Sequence, residues 1–65
     1  MNTYAKYVRL KQAAGVTDYR VAEETGIGKS TFSDWKSGRS YPKLEKLKKI
    51  ADFFNVPVDF FLEGK

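Results

Sequence analysis

The sequence predicts an all-α fold, a compact bundle of five short helices. Three observations carry that expectation. Gly15, Gly26, Gly28, Gly38, Pro42, Pro57 and Gly64 cut the chain into five segments of helical size. Apolar residues recur every three or four positions inside those segments, and none shows the period-two alternation of a half-buried strand. The chain is 65 residues long without a cysteine, so one small core must hold by packing alone. Residues 1–65 are expected to form one domain.

Segment one runs from about Thr3 to Ala14, where Tyr4, Tyr7, Leu10 or Lys11, and Ala14 make one stripe. Gly15 suits the left-handed position that ends such a helix. Segment two, about 18–25, starts after Thr17, whose hydroxyl can accept from the free N–H groups beyond it. Asp18 complements the positive end of this helix. Val21, Ala22 and Thr25 form its inner side, and Gly26 ends it. Segment three, about 29–37, has Gly28 as its N-cap and Gly38 at its close, with Phe32 and Trp35 facing inward. Segment four is the clearest helix: Leu44, Leu47, Ile50, Ala51 and Phe54 keep helical spacing, and Lys43, Lys46, Lys48 and Lys49 fall mostly on other faces. Pro42 lies near its start, where a missing N–H does no harm. Segment five is a short turn or two around Pro57–Leu62.

Composition excludes several functions. With 42% hydrophobic and 15% aromatic residues the chain has enough apolar material to fold. It has no histidine and no cysteine, which removes the commonest general base, the thiolate nucleophile and the usual zinc ligands. An enzyme is therefore not expected, nor a cofactor or a metal. No apolar run approaches the roughly 18 residues of a membrane span, and the N-terminus lacks the apolar stretch of a secretory signal. The expected location is cytoplasmic, with no membrane partner.

The net charge of +4 is unevenly placed. Residues 1–27 hold four basic and three acidic side chains, residues 28–49 seven and two, and residues 50–65 one and three. The positive excess is thus confined to the middle third, which points to a polyanion, nucleic acid ahead of acidic lipid. Gly26-Ile27-Gly28-Lys29-Ser30-Thr31 imitates the end of a nucleotide-binding phosphate loop, but that loop needs a glycine where Glu23 stands and a strand where residues 17–22 read as helix.

The block that carries function is Val21-Ala22-x-x-Thr25-Gly26-Ile27-x-x-x-x-Phe32-x-x-Trp35. Each position has a task if two short helices cross through a tight turn. Ala22 is small where the second helix passes over it. Gly26 redirects the chain with a positive φ. Ile27, Phe32 and Trp35 fill the angle between the helices. Lys29, Ser30, Ser33, Asp34 and Ser37 are left outside, on a helix that can enter a DNA major groove and present side chains to base edges.

From about Tyr4 to Gly64 the chain resembles the lambdoid phage-repressor and Cro-type helix-turn-helix family. The resemblance rests on Gly15-Val16-Thr17, on Val21-Ala22-x-x-Thr25-Gly26-Ile27, on residues 30–38, on Pro42-x-Leu44-x-x-Leu47-x-x-Ile50-Ala51-x-Phe53-Phe54-x-Val56, and on Val58-Asp59-Phe60-Phe61-Leu62. It implies a five-helix, lambda-repressor-like domain that binds operator DNA as a two-fold homodimer and regulates transcription, as a phage- or prophage-type repressor, with no small-molecule effector bound by this chain. Carried over by position, Lys29, Ser30, Ser33 and Asp34 match the base-reading places: lysine for guanine, serine for either partner, aspartate for the cytosine amine. Thr17, Asp18, Thr31, Lys36, Arg39, Ser40, Tyr41 and Lys43 match places at or beside phosphate contacts, which set register rather than read sequence.

The sequence departs from the family pattern at informative places. Asp18 replaces a common glutamine, and Gly28 a serine or threonine cap. Lys36 stands where glutamate is frequent and Lys11 where arginine is, so the ion pair formed there in relatives gives way to two like charges, which frees Lys36 for phosphate. The rival reading is a protein-interaction module on the same fold, such as an antitoxin.

Overall fold

The computed structural model describes residues 3–62; Met1, Asn2 and residues 63–65, with the breaker Gly64, lie outside the described residues. Among the described residues five helices follow one another: α1 (Thr3–Ala14), α2 (Asp18–Thr25), α3 (Lys29–Ser37), α4 (Leu44–Phe54) and α5 (Asp59–Leu62). Their boundaries follow the capping chemistry. Thr17 Oγ1 accepts the N–H of Arg20 at 3.2 Å and starts α2, as expected of a threonine N-cap. Gly28 starts α3 without a side-chain cap. Gly26 turns the chain out of α2 at φ 76°, its N–H donating to Ala22 O. Asn55 closes α4 at φ 61°, a left-handed stop at a residue other than glycine.

Helix α2 packs on α3 and α4, and α1 packs on α5. The core they enclose is Tyr7, Val21, Ala22, Ile27, Phe32, Trp35, Leu47, Ile50, Ala51 and Phe61. Phe32 and Trp35 are each 1% exposed, as their inward spacing requires. Of the stripe residues, Tyr4, Leu10 and Phe54 are partly buried and pack against this core, while two do not. Ala14 and Leu44 are exposed, and both sit at a helix end, beyond the reach of the neighbouring helices. Periodicity gives a residue's direction, not whether anything lies opposite it.

The fold also buries one charge that the sequence pattern does not mark. Lys6 is 8% exposed, and its Nζ donates to the Phe60 carbonyl at 3.0 Å, so its stem packs while its ammonium satisfies a backbone acceptor of α5. Trp35 Nε1 donates to Thr3 Oγ1 at 2.9 Å, which ties the start of α1 to α3.

Tyr7 organises the centre. Its ring lies 5.3 Å from Phe32 and 5.0 Å from Trp35, stacked on both, and meets Phe54 edge-on at 6.2 Å. Its hydroxyl donates to Asp18 Oδ1 at 2.6 Å. One α1 side chain therefore grips the inner face of α3 and the first residue of α2 together.

The turn between α2 and α3 depends on the backbone freedom of Gly26. A methyl group there meets no atom within 4 Å, so a substitution costs only the left-handed conformation. Gly26→Ala should lower stability by about 1–2 kcal/mol, whereas Gly28→Ser, at an ordinary φ of −64°, should raise it by a few tenths through the missing cap. Urea midpoints read both changes; equal shifts of the same sign would contradict this account of the turn.

Candidate nucleic-acid interface

Helix α3 has two chemically distinct sides. Phe32 and Trp35 are locked in the core, while Lys29, Ser30, Ser33, Lys36 and Ser37 are exposed and Thr31 and Asp34 are partly so. The nine residues of α3 span about 13 Å at the helical rise per residue. Its buried aromatic side fixes the rotation of the helix, and therefore which residues point away from the body.

The start of α2 is brought beside both ends of this surface. Tyr19, 59% exposed, sits under Lys29, whose Nζ is 5.0 Å from the ring centroid. Asp18 sits toward the other end, where the positive charge of Lys36 acts on its carboxylate. Thr17 is exposed, and because its oxygen only accepts from Arg20 N, the hydroxyl proton is left available to donate. Beyond α3, Arg39 and Ser40 are held by their N–H groups on the Asp34 carbonyl at 2.9 and 3.4 Å. Tyr41 and Lys43 follow, exposed, on either side of the buried Pro42. The Asp34 carboxylate lies 3.9 Å from Arg39 Nε, so part of its charge is offset locally.

Asp18 is the residue whose setting differs most from the expectation. Its Oδ1 accepts from Tyr7 Oη at 2.6 Å and from Lys11 Nζ at 2.8 Å. One oxygen of the carboxylate is thus engaged by α1, while the side chain remains 42% exposed. The two like charges of Lys11 and Lys36 accordingly have an acidic partner, supplied by α2 instead of by α3. Arg20 pairs with Glu24 at 3.4 Å, one helical turn away. Lys46, Lys48 and Lys49 are exposed, as a solvated face would be.

Burial by itself would raise the Asp18 pKa; the hydrogen bonds from Lys11 and Tyr7, with the charges of Lys11 and Lys36, outweigh it and hold the carboxyl below its ordinary value. Burial, then the hydrogen bond to Asp18 and the negative charge of that carboxylate, push the Tyr7 phenol well above its usual range. The signs follow from linkage. The Asp18 contribution is present above the unfolded carboxylate value of about 3.9 and is lost as pH falls through the depressed folded value. The Tyr7 contribution is complete below an unfolded value of about 10 and is lost as pH rises from there toward the folded value. Asp18→Asn should flatten the acid limb of a stability–pH curve, an effect read by urea melts from neutral to acid pH. Tyr7→Phe should cost about 1.5 kcal/mol at neutral pH, the low end for a charged acceptor because Asp18 is partly solvated. An unchanged acid limb in Asp18→Asn would remove this carboxylate from the account.

Among the described residues no group of three His, Cys, Asp or Glu side chains could hold a metal ion, and no helix is long and apolar enough to cross a membrane. The sequence pattern did not reveal that Tyr7 and Asp18 meet or that Tyr19 underlies Lys29. A signal for the second was present: lysine opens α3, at the helix end that disfavours a cation.

The helix-turn-helix family model matches residues 4–61, which takes in all of α2, the turn and α3. The HTH-type transcriptional activator BcrR of Enterococcus faecalis is 35% identical over 60 residues, covering 92% of this chain and 29% of that protein. The cryptic phage CTXphi transcriptional repressor RstR of Vibrio cholerae is 42% identical over 38 residues, 58% of this chain and 34% of its own length. The uncharacterized HTH-type transcriptional regulator YobD of Bacillus subtilis is 33% identical over 54 residues, 83% of this chain and 48% of its own. The chain thus spans between 29% and 48% of the length of these relatives. With its caps, turn and buried α3 aromatics at the expected places, and with the match running from α1 into α5, the chain belongs to the Cro/C1-type helix-turn-helix family.

Proposed function

We propose that the chain is a sequence-specific, double-stranded DNA-binding transcription regulator of the phage-repressor type, which lays α3 in the major groove. The observation that carries this reading is the division of α3: a core-locked aromatic side opposite a surface of short polar and basic side chains. A helix held so firmly can place Lys29, Ser30, Ser33 and Asp34 against base edges in a groove about 12 Å wide. The Thr17 hydroxyl, Thr31, Lys36, Arg39, Ser40, Tyr41 and Lys43 act toward phosphate. Asp18 serves through its backbone, at the N-terminus of α2, while its side chain holds the helix in place.

The DNA complex is a two-fold homodimer on an operator, and regulation is repression by occluding that operator. The chain performs no chemistry and takes no cofactor in this reading, and its place is in the cytoplasm on DNA. The relatives named as an activator and as a repressor support a transcriptional role.

Selection from a double-stranded pool with a randomised centre tests the proposal. The expected result is a two-fold motif whose half-sites lie about one helical turn, 34–36 Å, apart. Affinity for the selected site should fall steeply with salt. Lys29→Ala should cost about 1–3 kcal/mol on that site and less on unrelated duplex, and Lys36→Ala should weaken all duplexes alike and reduce the salt slope by about 1. Sequence-blind binding with little salt dependence would reject operator recognition in favour of a protein partner, as for an antitoxin.

A further inference from the structure

We infer that Tyr19 is a positioning residue that sets the reach of Lys29 and so narrows what this lysine reads. The inference rests on the DNA-binding reading above. It starts from two local features that helix stability does not explain. Lysine opens α3, where the helix dipole disfavours a cation, and the first turn of α3 has no acidic residue to offset it. One residue into α2, a tyrosine is 59% exposed instead of packed. The two meet: the Lys29 ammonium lies 5.0 Å from the Tyr19 ring centroid, within the range of a cation–π contact. Each feature accounts for the other.

The ring stands on a rigid base. On one side Asp18 is clamped by Tyr7 and Lys11, and Thr17 caps the helix; two residues on, Val21 is fully buried. Its position is therefore set by the core, although the ring itself is in solvent. A free lysine has a long stem and three donors, and can reach guanine O6 and N7 atoms on more than one base pair. Held against a fixed ring at the start of α3, it approaches from the α2 side and favours one. Tyr19 thus converts a mobile point charge into a directed donor, without needing to touch DNA itself.

The test compares wild type, Tyr19→Phe, Tyr19→Leu and Lys29→Ala. In the free protein, the Lys29 Cε protons should show upfield ring-current shifts in wild type and Tyr19→Phe, which keeps the ring face, and lose them in Tyr19→Leu. Each protein is then passed through the randomised duplex pool. The base pair whose preference disappears in Lys29→Ala should also lose discrimination in Tyr19→Leu, by about two- to fivefold, with Tyr19→Phe retaining it. Absence of the ring-current shift in wild type overturns the tether whatever the DNA result. So does a Tyr19→Leu motif identical to wild type, or one altered at pairs that Lys29→Ala leaves intact. A uniform loss of affinity in Tyr19→Phe would make the hydroxyl a phosphate contact, which also overturns the inference. If the ring-current shifts appear but wild type selects no motif, the DNA-binding reading fails and takes the specificity role with it, while the Tyr19–Lys29 contact stands.

Discussion

Tyr7 does two physically different things with one side chain. Its ring is stacked on Phe32 and Trp35, the two residues that anchor α3, and its hydroxyl holds the Asp18 carboxylate at the head of α2. A helix-turn-helix surface is useful only if its two helices keep a fixed relation, and a three-residue turn with two glycines is a weak guarantee of that. Here the relation is enforced from behind by α1. A phenol suits the task because its ring can be buried while its hydroxyl still finds a partner. The Trp35 indole, bonded to Thr3, and Lys6, bonded to the Phe60 carbonyl, repeat the pattern: apolar bulk in the core, with a polar end tying two helices together.

The charge arrangement follows from the same constraint. Lys11 and Lys36 would repel if left alone, and the acidic group between them comes from Asp18. Asp18 has one carboxylate oxygen engaged by Tyr7 and Lys11, so under the proposed DNA-binding function phosphate contact would fall to the Thr17 hydroxyl, the amides at the head of α2, and the basic side chains of α3 and the following loop. A carboxylate facing phosphate would oppose binding; one turned toward α1 stabilises the protein and leaves the outer surface positive. Asp34 is moderated in a weaker way by Arg39 at 3.9 Å, an exposed pair of small energetic weight that lowers the local negative field without silencing the residue.

Much of this was legible in the sequence. Thr17, Gly26 and Gly38 announce their helix ends by local chemistry, which acts within a few residues and needs no knowledge of the rest of the chain. Phe32 and Trp35 declare their side of α3 by spacing alone. Ala14 and Leu44 kept the spacing and still lie in solvent, because burial requires a neighbour as well as a direction. Asn55 ends α4 in a left-handed conformation more typical of glycine, so the break before Pro57 had no glycine to mark it.

The sequence by itself determined the five helices, the caps at Thr17, Gly26, Gly28 and Gly38, the inward side of α3, the basic middle third and the family. Each of these follows from interactions between residues close in the chain, or from an ordered pattern of residue types. Tertiary structure alone decided that Tyr7 would reach Asp18, that Asp18 would bond Lys11 and feel the charge of Lys36, that Lys6 would be buried and that Tyr19 would lie beneath Lys29. Those outcomes depend on where three-dimensional packing brings side chains that are distant in sequence, and a hydrogen bond or a cation–π contact exists only once the distance is set within a few tenths of an ångström to an ångström or so.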